Sequence, residues 1–118
     1  MKDYKELDVW KKSIEIVIHV YDIAKTFPRE EMYVLTDQIK RAAVSIPSNI
    51  AEGAARNSKK EFIQFLYIAL GSASELETQL IIAEKLGYIQ NKEGLFSDIT
   101  IIKKMLNALI SSLKKIKQ

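Results

Sequence analysis

The side chains best suited to chemistry in this 118-residue sequence are its basic ones. Lysine and arginine can meet the phosphates of a nucleic acid, and asparagine and serine can add hydrogen bonds. The uncompensated charge is concentrated at residues 91–118, which carry a net charge of +4, whereas the rest of the chain is about neutral. This basic C-terminal segment predicts attraction to polyanions; the alternative is a solvated lysine face. The candidate nucleic-acid-binding residues are Lys40, Arg41, Arg56, Lys59, Lys60, Lys103, Lys104, Lys114 and Lys115.

A second unusual stretch, Ser-Ile-Pro-Ser-Asn-Ile-Ala-Glu-Gly at residues 45–53, lies inside a helical pattern. Proline costs about 3 kcal/mol and glycine about 1 kcal/mol in a helix relative to alanine. Pro47 also removes the donor that the Ala43 carbonyl would use. The stretch is therefore expected to serve tight packing, with its polar side chains satisfying backbone groups freed by Pro47 or bridging helices, or to form a binding surface. The residues of the second alternative are Arg41, Asn49, Glu52 and Arg56.

Catalysis would need reactive groups that converge, and the sequence offers few. His19 is the only histidine, cysteine is absent, and there is no Glu-x-x-His pair for a di-iron site. Phosphate-cradling glycine motifs are also missing. Glu75 and Glu77 are two residues apart and so point to different sides of a helix. We therefore predict that the protein is not an enzyme and uses no cofactor or metal.

The elements that position these residues are four predicted helices, at 8–26, 31–56, 59–86 and 95–117. Asp8 is a plausible first N-cap, and Pro28 separates the first two helices. Ser58 and Glu61 form a capping-box pattern, and Gly87 suits a helix C-terminus. Short connections favour one domain over residues 1–118: an all-α, antiparallel up-down-up-down four-helix bundle.

The first helix carries two apolar stripes. One, spaced 3-4-3-4-3, is the predicted core seam: Leu7, Trp10, Ile14, Val17, Tyr21 and Ala24. A domain this small has little interior for a second stripe, so we assign that stripe to a contact between subunits. Gly71, predicted on an outer face, would let another backbone approach. The candidate oligomer interface is Val9, Ile16, Val20, Ile23, Ile68, Gly71, Ile82, Ile101 and Met105.

The order of these features resembles the four-helix-bundle family associated with intervening sequences in bacterial 23S ribosomal RNA. The match begins with Leu7-x-x-Trp10 and Phe27-Pro28. Its most specific part runs from Gln38 to Gly53 and includes Ser45, Asn49, Glu52 and Gly53. It continues through Ser58-x-x-Glu61-Phe62 and Ile68-Ala69-x-Gly71-Ser72-x-x-Glu75-Leu76. The resemblance covers nearly the whole chain.

The resemblance implies an up-down-up-down bundle that assembles as a homopentamer. A related group, the accessory proteins of diversity-generating retroelements, binds nucleic acid and partners a reverse transcriptase. That partner would apply here only if the chain is encoded in such an element.

We therefore expect a homo-oligomer that binds RNA or DNA; the alternative is a protein-interaction scaffold without a nucleic-acid role. The first ten residues carry no apolar signal segment, and no apolar run is long enough to span a membrane. These features predict a cytoplasmic protein.

Overall fold

A computed structural model describes residues 3–116 of the chain. It contains four α-helices, which are α1 (Asp8–Ala24), α2 (Leu35–Ala55), α3 (Lys59–Lys85) and α4 (Glu93–Lys115). Two short 3-10 turns, Tyr4–Glu6 and Arg29–Glu31, precede α1 and α2. No strand occurs among the described residues. The predicted all-α four-helix bundle is thus confirmed, with overall dimensions of 50 × 24 × 20 Å.

Consecutive helices run antiparallel, as contacts at their ends show. In the α1–α2 pair, the ammonium of Lys40 lies 4.9 Å from the ring centroid of Tyr21, near the end of α1 and the start of α2. In the α2–α3 pair, Gly53 near the end of α2 lies against Phe62 and Phe65 near the start of α3, while Ser45, earlier in α2, bonds to Ser72, later in α3. Lys59, at the start of α3, donates to the carbonyl of Ile116, just past the end of α4.

The boundary between α1 and α2 differs from the predicted one. The α1 helix has Leu7, not Asp8, as its N-cap, and it ends at Ala24 rather than at residue 26. From residue 25 the backbone N–H groups bond to carbonyls three residues back, which tightens the last turn. Similar bonds hold the Arg29–Glu31 turn, and α2 therefore begins at Leu35, four residues later than predicted.

The remaining helix ends follow local chemistry. The hydroxyl of Ser58 accepts from the N–H of Glu61 at 3.2 Å and caps α3, as predicted. At the other end, Gly87 has φ of 81°, and its N–H and that of Tyr88 bond back into the last turn as a Schellman motif. The α4 helix begins at Glu93, two residues before the predicted start, because Gly94 is accommodated in its first turn. The predicted end of α4, residue 117, lies outside the described residues.

The face of α1 that points to the core is the second apolar stripe and not the predicted seam, part of which packs at the edge of the core. The predicted core seam, from Leu7 to Tyr21, is only half-buried or exposed, and of its members only Ala24 is buried. The buried stripe continues through Ser13, whose hydroxyl donates to the carbonyl of Trp10 at 2.7 Å. Because that bond satisfies the hydroxyl, a serine can occupy a core position, where it interrupts the apolar pattern read from the sequence.

Four residues assigned to the oligomer interface are consequently core residues. Val9, Ile16, Val20 and Ile23 have 5%, 1%, 0% and 5% of their surface exposed. A side chain enclosed by its own chain cannot also contact a second subunit, so this part of the prediction is wrong. Glutamate at Val20 or Ile23 would therefore disrupt the core instead of separating subunits.

No helix among residues 3–116 contains an apolar stretch of the length that a bilayer crossing requires.

Candidate nucleic-acid interface

Three of the candidate basic residues, Lys59, Lys60 and Lys114, line one open groove between the start of α3 and the end of α4. We call it the α3–α4 groove. Because the two helices are antiparallel, the lysines of the first turn of α3 lie beside those of the last turn of α4. The groove has a volume of about 500 Å³ and is lined by Lys59, Lys60, Ile63, Gln64, Tyr67, Leu113, Lys114 and Ile116.

Two contacts hold the walls of the α3–α4 groove in place. The ammonium of Lys59 donates to the carbonyl oxygen of Ile116 at 2.6 Å, which joins the two helix ends. The ammonium of Lys114 donates to the hydroxyl of Tyr67 at 2.8 Å and lies 5.2 Å from the centroid of its ring. Tyr67 nevertheless keeps 46% of its surface exposed. One face of the groove therefore combines an aromatic ring with a cation.

The electrostatics of the groove favour an anion. Three lysines and no carboxylate line it among the described residues. The acceptors of Lys59 and Lys114 are an uncharged carbonyl and an uncharged hydroxyl, so neither contact cancels a positive charge. Lys60 is exposed, and it has no ion pair with a described residue. The positive potential therefore remains available to phosphates.

The other candidate lysines of α4 are only partly associated with the groove. Lys115 is exposed and adjoins Lys114 in the last turn. Lys104 is exposed farther toward the start of the helix. Lys103 is bound to Glu77 of α3 across the bundle, and both side chains are about three-quarters buried. Lys103 therefore ties α4 to α3, and its charge is neutralised.

The candidate basic residues of α2 do not line the groove. Arg41 is paired with Asp37 at 2.8 Å, and this carboxylate, by hydrogen bond and charge, raises the pKa of Arg41 above its usual value. The ammonium of Lys40 lies over the ring of Tyr21. Neither residue approaches the lysines of α3 and α4, so the predicted set separates into distinct locations.

Arg56 lies near the start of α3 but is already engaged. Its guanidinium pairs with Glu52 at 2.9 Å and with Glu61 at 3.5 Å, and it lies 4.9 Å from the centroid of the Phe65 ring. With two carboxylates beside it, Arg56 is a poor phosphate ligand.

Tyr67 and Gln64 are groove residues that the sequence analysis missed, and no aromatic platform was predicted. A signal was present, because Lys60, Gln64 and Tyr67 are spaced four and three apart and share a helix face. The spacing could show that the three residues lie together. It could not show that α4 would leave the Tyr67 ring exposed.

The residues of the 45–53 stretch lie mainly between α2 and α3, and we call this contact the α2–α3 seam. The hydroxyls of Ser45 and Ser72 hydrogen-bond at 2.8 Å across the two helices. The side-chain amide of Asn49 donates to both the carbonyl and the hydroxyl of Ser45, at 2.8 and 2.9 Å. Of the two alternatives, the bridge between helices is therefore the one present in the structure.

Gly53 belongs to the same seam and is required by steric contact. A Cβ atom at this position would lie 2.6 Å from Cβ of Phe65 and 3.3 Å from the carbonyl oxygen of Phe62. Neither atom is the free end of a flexible side chain. Glu52 pairs with Arg56 at the edge of the seam, and Arg56 also pairs with Glu61 of α3.

The remaining candidate interface residues lie outside the core. Ile68, Ile82 and Ile101 have 50%, 44% and 41% of their surface exposed. Gly71 is exposed, and a Cβ atom added there would meet no neighbour. Met105 is half-buried against the core. These five residues are accessible to a partner to different degrees.

His19 is half-buried, and no group of three or more His, Cys, Asp or Glu residues within 3–116 is placed to hold a metal ion.

Comparison with known proteins places this bundle in a family. The family model described as 23S rRNA-intervening sequence protein matches residues 5–108, so the chain belongs to that family. A crystal structure of a protein of unknown function, from the S23 ribosomal protein family of Bacteroides thetaiotaomicron, is similar throughout. The two chains are 33% identical with a TM-score of 0.80, and the match covers 86% of this chain and 97% of the other. No curated protein matches the chain significantly. The resemblance inferred from the sequence is confirmed.

Proposed function

We propose that this protein is a non-enzymatic, cytoplasmic homo-oligomer that binds RNA or DNA through the α3–α4 groove. One observation carries the proposal: three lysines and a half-exposed tyrosine ring line the same groove, which has no carboxylate in its lining among the described residues. This combination suits a single strand, because lysines contact the backbone phosphates while a base stacks on the aromatic ring.

The charges determine how such binding would respond to salt. Each phosphate that a lysine neutralises releases condensed counterions, so affinity falls as salt rises. A net charge of +3 per chain is modest for a monomer. Assembly of several copies, as in the homopentamer that the resemblance implies, would multiply the field. The family name refers to 23S rRNA but specifies no ligand, and it gives only general support to a role with RNA.

Self-association is the second part of the proposal. Ile68 and Ile82 on α3 and Ile101 on α4 are isoleucines of which about half the surface faces outward. Gly71, between the first two, leaves room for a neighbouring backbone. The surface of an assembled form would cover these side chains.

The binding test is fluorescence anisotropy with a labelled single-stranded RNA and a DNA of the same sequence, at several salt concentrations. The test variant is Lys60→Gln with Lys114→Gln. The matched control is Lys11→Gln with Lys85→Gln, which removes the same charge from two exposed lysines outside the groove.

The groove variant is expected to weaken binding about tenfold and to reduce the slope of log affinity against log salt by about 1.5. The control should change both quantities much less. Equal losses in the two variants would show that net charge alone, and not the groove, attracts the nucleic acid.

A protein-interaction scaffold without nucleic-acid binding is the second candidate, and the exposed isoleucines favour it. Light scattering with and without Ile82→Glu examines self-association separately from binding. If the folded protein is monomeric at micromolar concentration and binds neither the RNA nor the DNA, the principal proposal is excluded. The protein-interaction scaffold is then the remaining candidate.

A further inference from the structure

A second concentration of positive charge lies where α1 connects to α2. A cleft of about 280 Å³ opens there, and we call it the α1–α2 cleft. This connection packs against the far end of α3, where the rings of Phe27 and Tyr88 are 5.7 Å apart. The cleft is therefore separated from the α3–α4 groove by most of the length of α3. The lining residues that matter here are Lys25, Phe27, Arg29, Met32, Thr36 and Lys40.

The cations of the cleft have little compensating charge. No carboxylate is part of its lining among the described residues. Arg29 forms no ion pair within residues 3–116. Lys25 approaches Asp22 only to 4.0 Å, and both side chains are about three-quarters exposed, so solvent screens the pair. Lys40 contacts the uncharged ring of Tyr21.

The acidic side chains closest in sequence are mostly engaged elsewhere. Asp37 accepts from Arg41 at 2.8 Å, and Glu31 accepts from the hydroxyl of Tyr88 at 2.8 Å. Glu30 points to solvent and is not part of the lining. The Tyr88 hydroxyl is uncharged, so Glu31 keeps its negative charge; the lining of the cleft itself holds three cations and no carboxylate among the described residues.

Thr36 supplies an independent indication of a ligand. Only 7% of this residue is exposed, and its hydroxyl oxygen is buried without a hydrogen-bond partner among the described residues. Buried hydroxyls are rarely left unpaired. Thr36 also lines the cleft, and a change of its χ1 rotamer would redirect the hydroxyl toward an acceptor bound there.

We propose that the α1–α2 cleft binds a phosphate group, as a phosphate monoester or diester. Arg29, Lys25 and Lys40 would meet the phosphate oxygens, and Thr36 would donate a hydrogen bond to one of them. The side chains of Phe27 and Met32 form an apolar wall beside these cations and would pack against the organic part of the ester. The ligand is either a free nucleotide or a phosphate of a nucleic-acid chain, and the site does not depend on the α3–α4 groove.

The first measurement is a titration of the ¹⁵N-labelled full-length protein, followed by amide chemical shifts. Sodium phosphate is added at constant ionic strength, with sodium chloride as the balancing salt, and AMP is then used in the same way. The amides of residues 25–40 are expected to shift with saturation. If these shifts do not saturate, or if amides throughout the chain shift equally, the site does not exist.

Variants test the named side chains. Arg29→Gln is expected to weaken AMP binding at least tenfold, whereas Lys11→Gln, a matched loss of charge at the exposed start of α1, leaves it within twofold. Equal effects would overturn the proposal, because nonspecific charge would then explain the binding.

Thr36→Val separates the ligand role from a purely structural role. Valine has the same shape and removes the unpaired hydroxyl, so folding stability should be unchanged or higher while AMP affinity falls several-fold. Unchanged AMP affinity in a folded Thr36→Val protein would remove Thr36 from the site, and together with an unaffected Arg29→Gln protein it would refute the site.

Oligonucleotides distinguish the two sources of phosphate. Single strands with a 5′-hydroxyl and a 5′-phosphate are titrated into a protein that carries Lys60→Gln and Lys114→Gln, so that the groove is weakened. Shifts of residues 25–40 with both strands assign the site to backbone diesters, and shifts with the 5′-phosphate strand alone assign it to monoesters. If AMP binds but neither strand does, the ligand is a free nucleotide.

Discussion

The two flanks of α3 differ in what their polar groups contact. On the flank that faces α2, Ser72 is bonded to Ser45, and Asn49 donates to the same serine. On the flank that faces α4, the ammonium groups of Lys59 and Lys114 donate hydrogen bonds to uncharged oxygen atoms, and Tyr67 is half-exposed. The first flank is closed and these polar groups are paired, whereas the second is open and positively charged near the start of α3, although Lys103 and Glu77 pair farther along it.

The distinctive residues of the sequence motif serve helix packing in this structure. The α2–α3 seam contains the unusual residues because close helix packing demands glycine at position 53 and small polar side chains at position 45 and position 49. The α3–α4 groove is built from lysines and a tyrosine, which occur on many helix surfaces. We therefore expect substitutions in the α2–α3 seam to change the free energy of unfolding, and substitutions in the α3–α4 groove to change the affinity for nucleic acid.

The largest expected contrast is between two glycines. Gly53→Ala places a methyl group against Phe65, and we expect a net loss of about 1–2 kcal/mol in the free energy of unfolding, since overpacking outweighs the gain in helix propensity. Gly71→Ala, in open space within α3, should instead stabilise the protein by about 1 kcal/mol. Urea denaturation measures both.

A Gly53→Ala protein as stable as the unmodified protein would contradict the packing role of the α2–α3 seam. It would mean that the added methyl group is accommodated without loss of stability. If Gly71→Ala weakens self-association while stabilising the fold, the glycine lies in the oligomer contact.

The second prediction concerns Tyr67 in the groove. Tyr67→Leu retains an apolar side chain but removes the aromatic face, and it should weaken single-strand binding by about 1–2 kcal/mol without lowering stability by a similar amount. Tyr67→Phe retains the ring and serves as the control. Anisotropy measures the affinities; equal losses in both variants would show that the hydroxyl, and not stacking, contributes.

The third prediction concerns Asn49 in the seam. Asn49→Ala removes two hydrogen bonds to Ser45 and should destabilise the fold by about 1 kcal/mol. Affinity for nucleic acid should remain that of the unmodified protein when both are measured well below the melting temperature. A large loss of affinity in a stably folded Asn49→Ala protein would assign a binding role to the motif.

The smallest effect is expected at Tyr88, which touches neither flank of α3. Its hydroxyl donates to Glu31 at 2.8 Å. This hydrogen bond is the main cause that raises the pKa of Tyr88 above its usual value of 10.0, and burial of the hydroxyl is the next largest. Since the folded pKa is raised, the contribution to stability is complete below about pH 10 and is lost as pH rises through the folded value.

Absorbance at 295 nm should therefore show Tyr88 ionising later than a free tyrosine. Tyr88→Phe should remove this late step and leave binding at neutral pH unchanged. An unaltered titration curve would mean that the hydrogen bond to Glu31 does not persist in solution.

Much of this fold could be predicted because helix periodicity and capping are local. Ser58, Gly87 and Pro28 act within one turn of their own positions, so the number of helices and most of their ends follow from neighbouring residues. The start of α2 was missed because residues 29–34 bond three residues back, a choice that helical periodicity does not distinguish.

The sequence by itself therefore determined the four helices, the family and the positions of the basic residues along the chain. The tertiary structure decided which stripe of α1 faces inward, because Ser13 can be buried once its hydroxyl bonds to the backbone. It also decided which lysines share a surface. Lys60 and Lys114 are far apart in sequence, and only the antiparallel packing of α3 and α4 brings their charges to one groove.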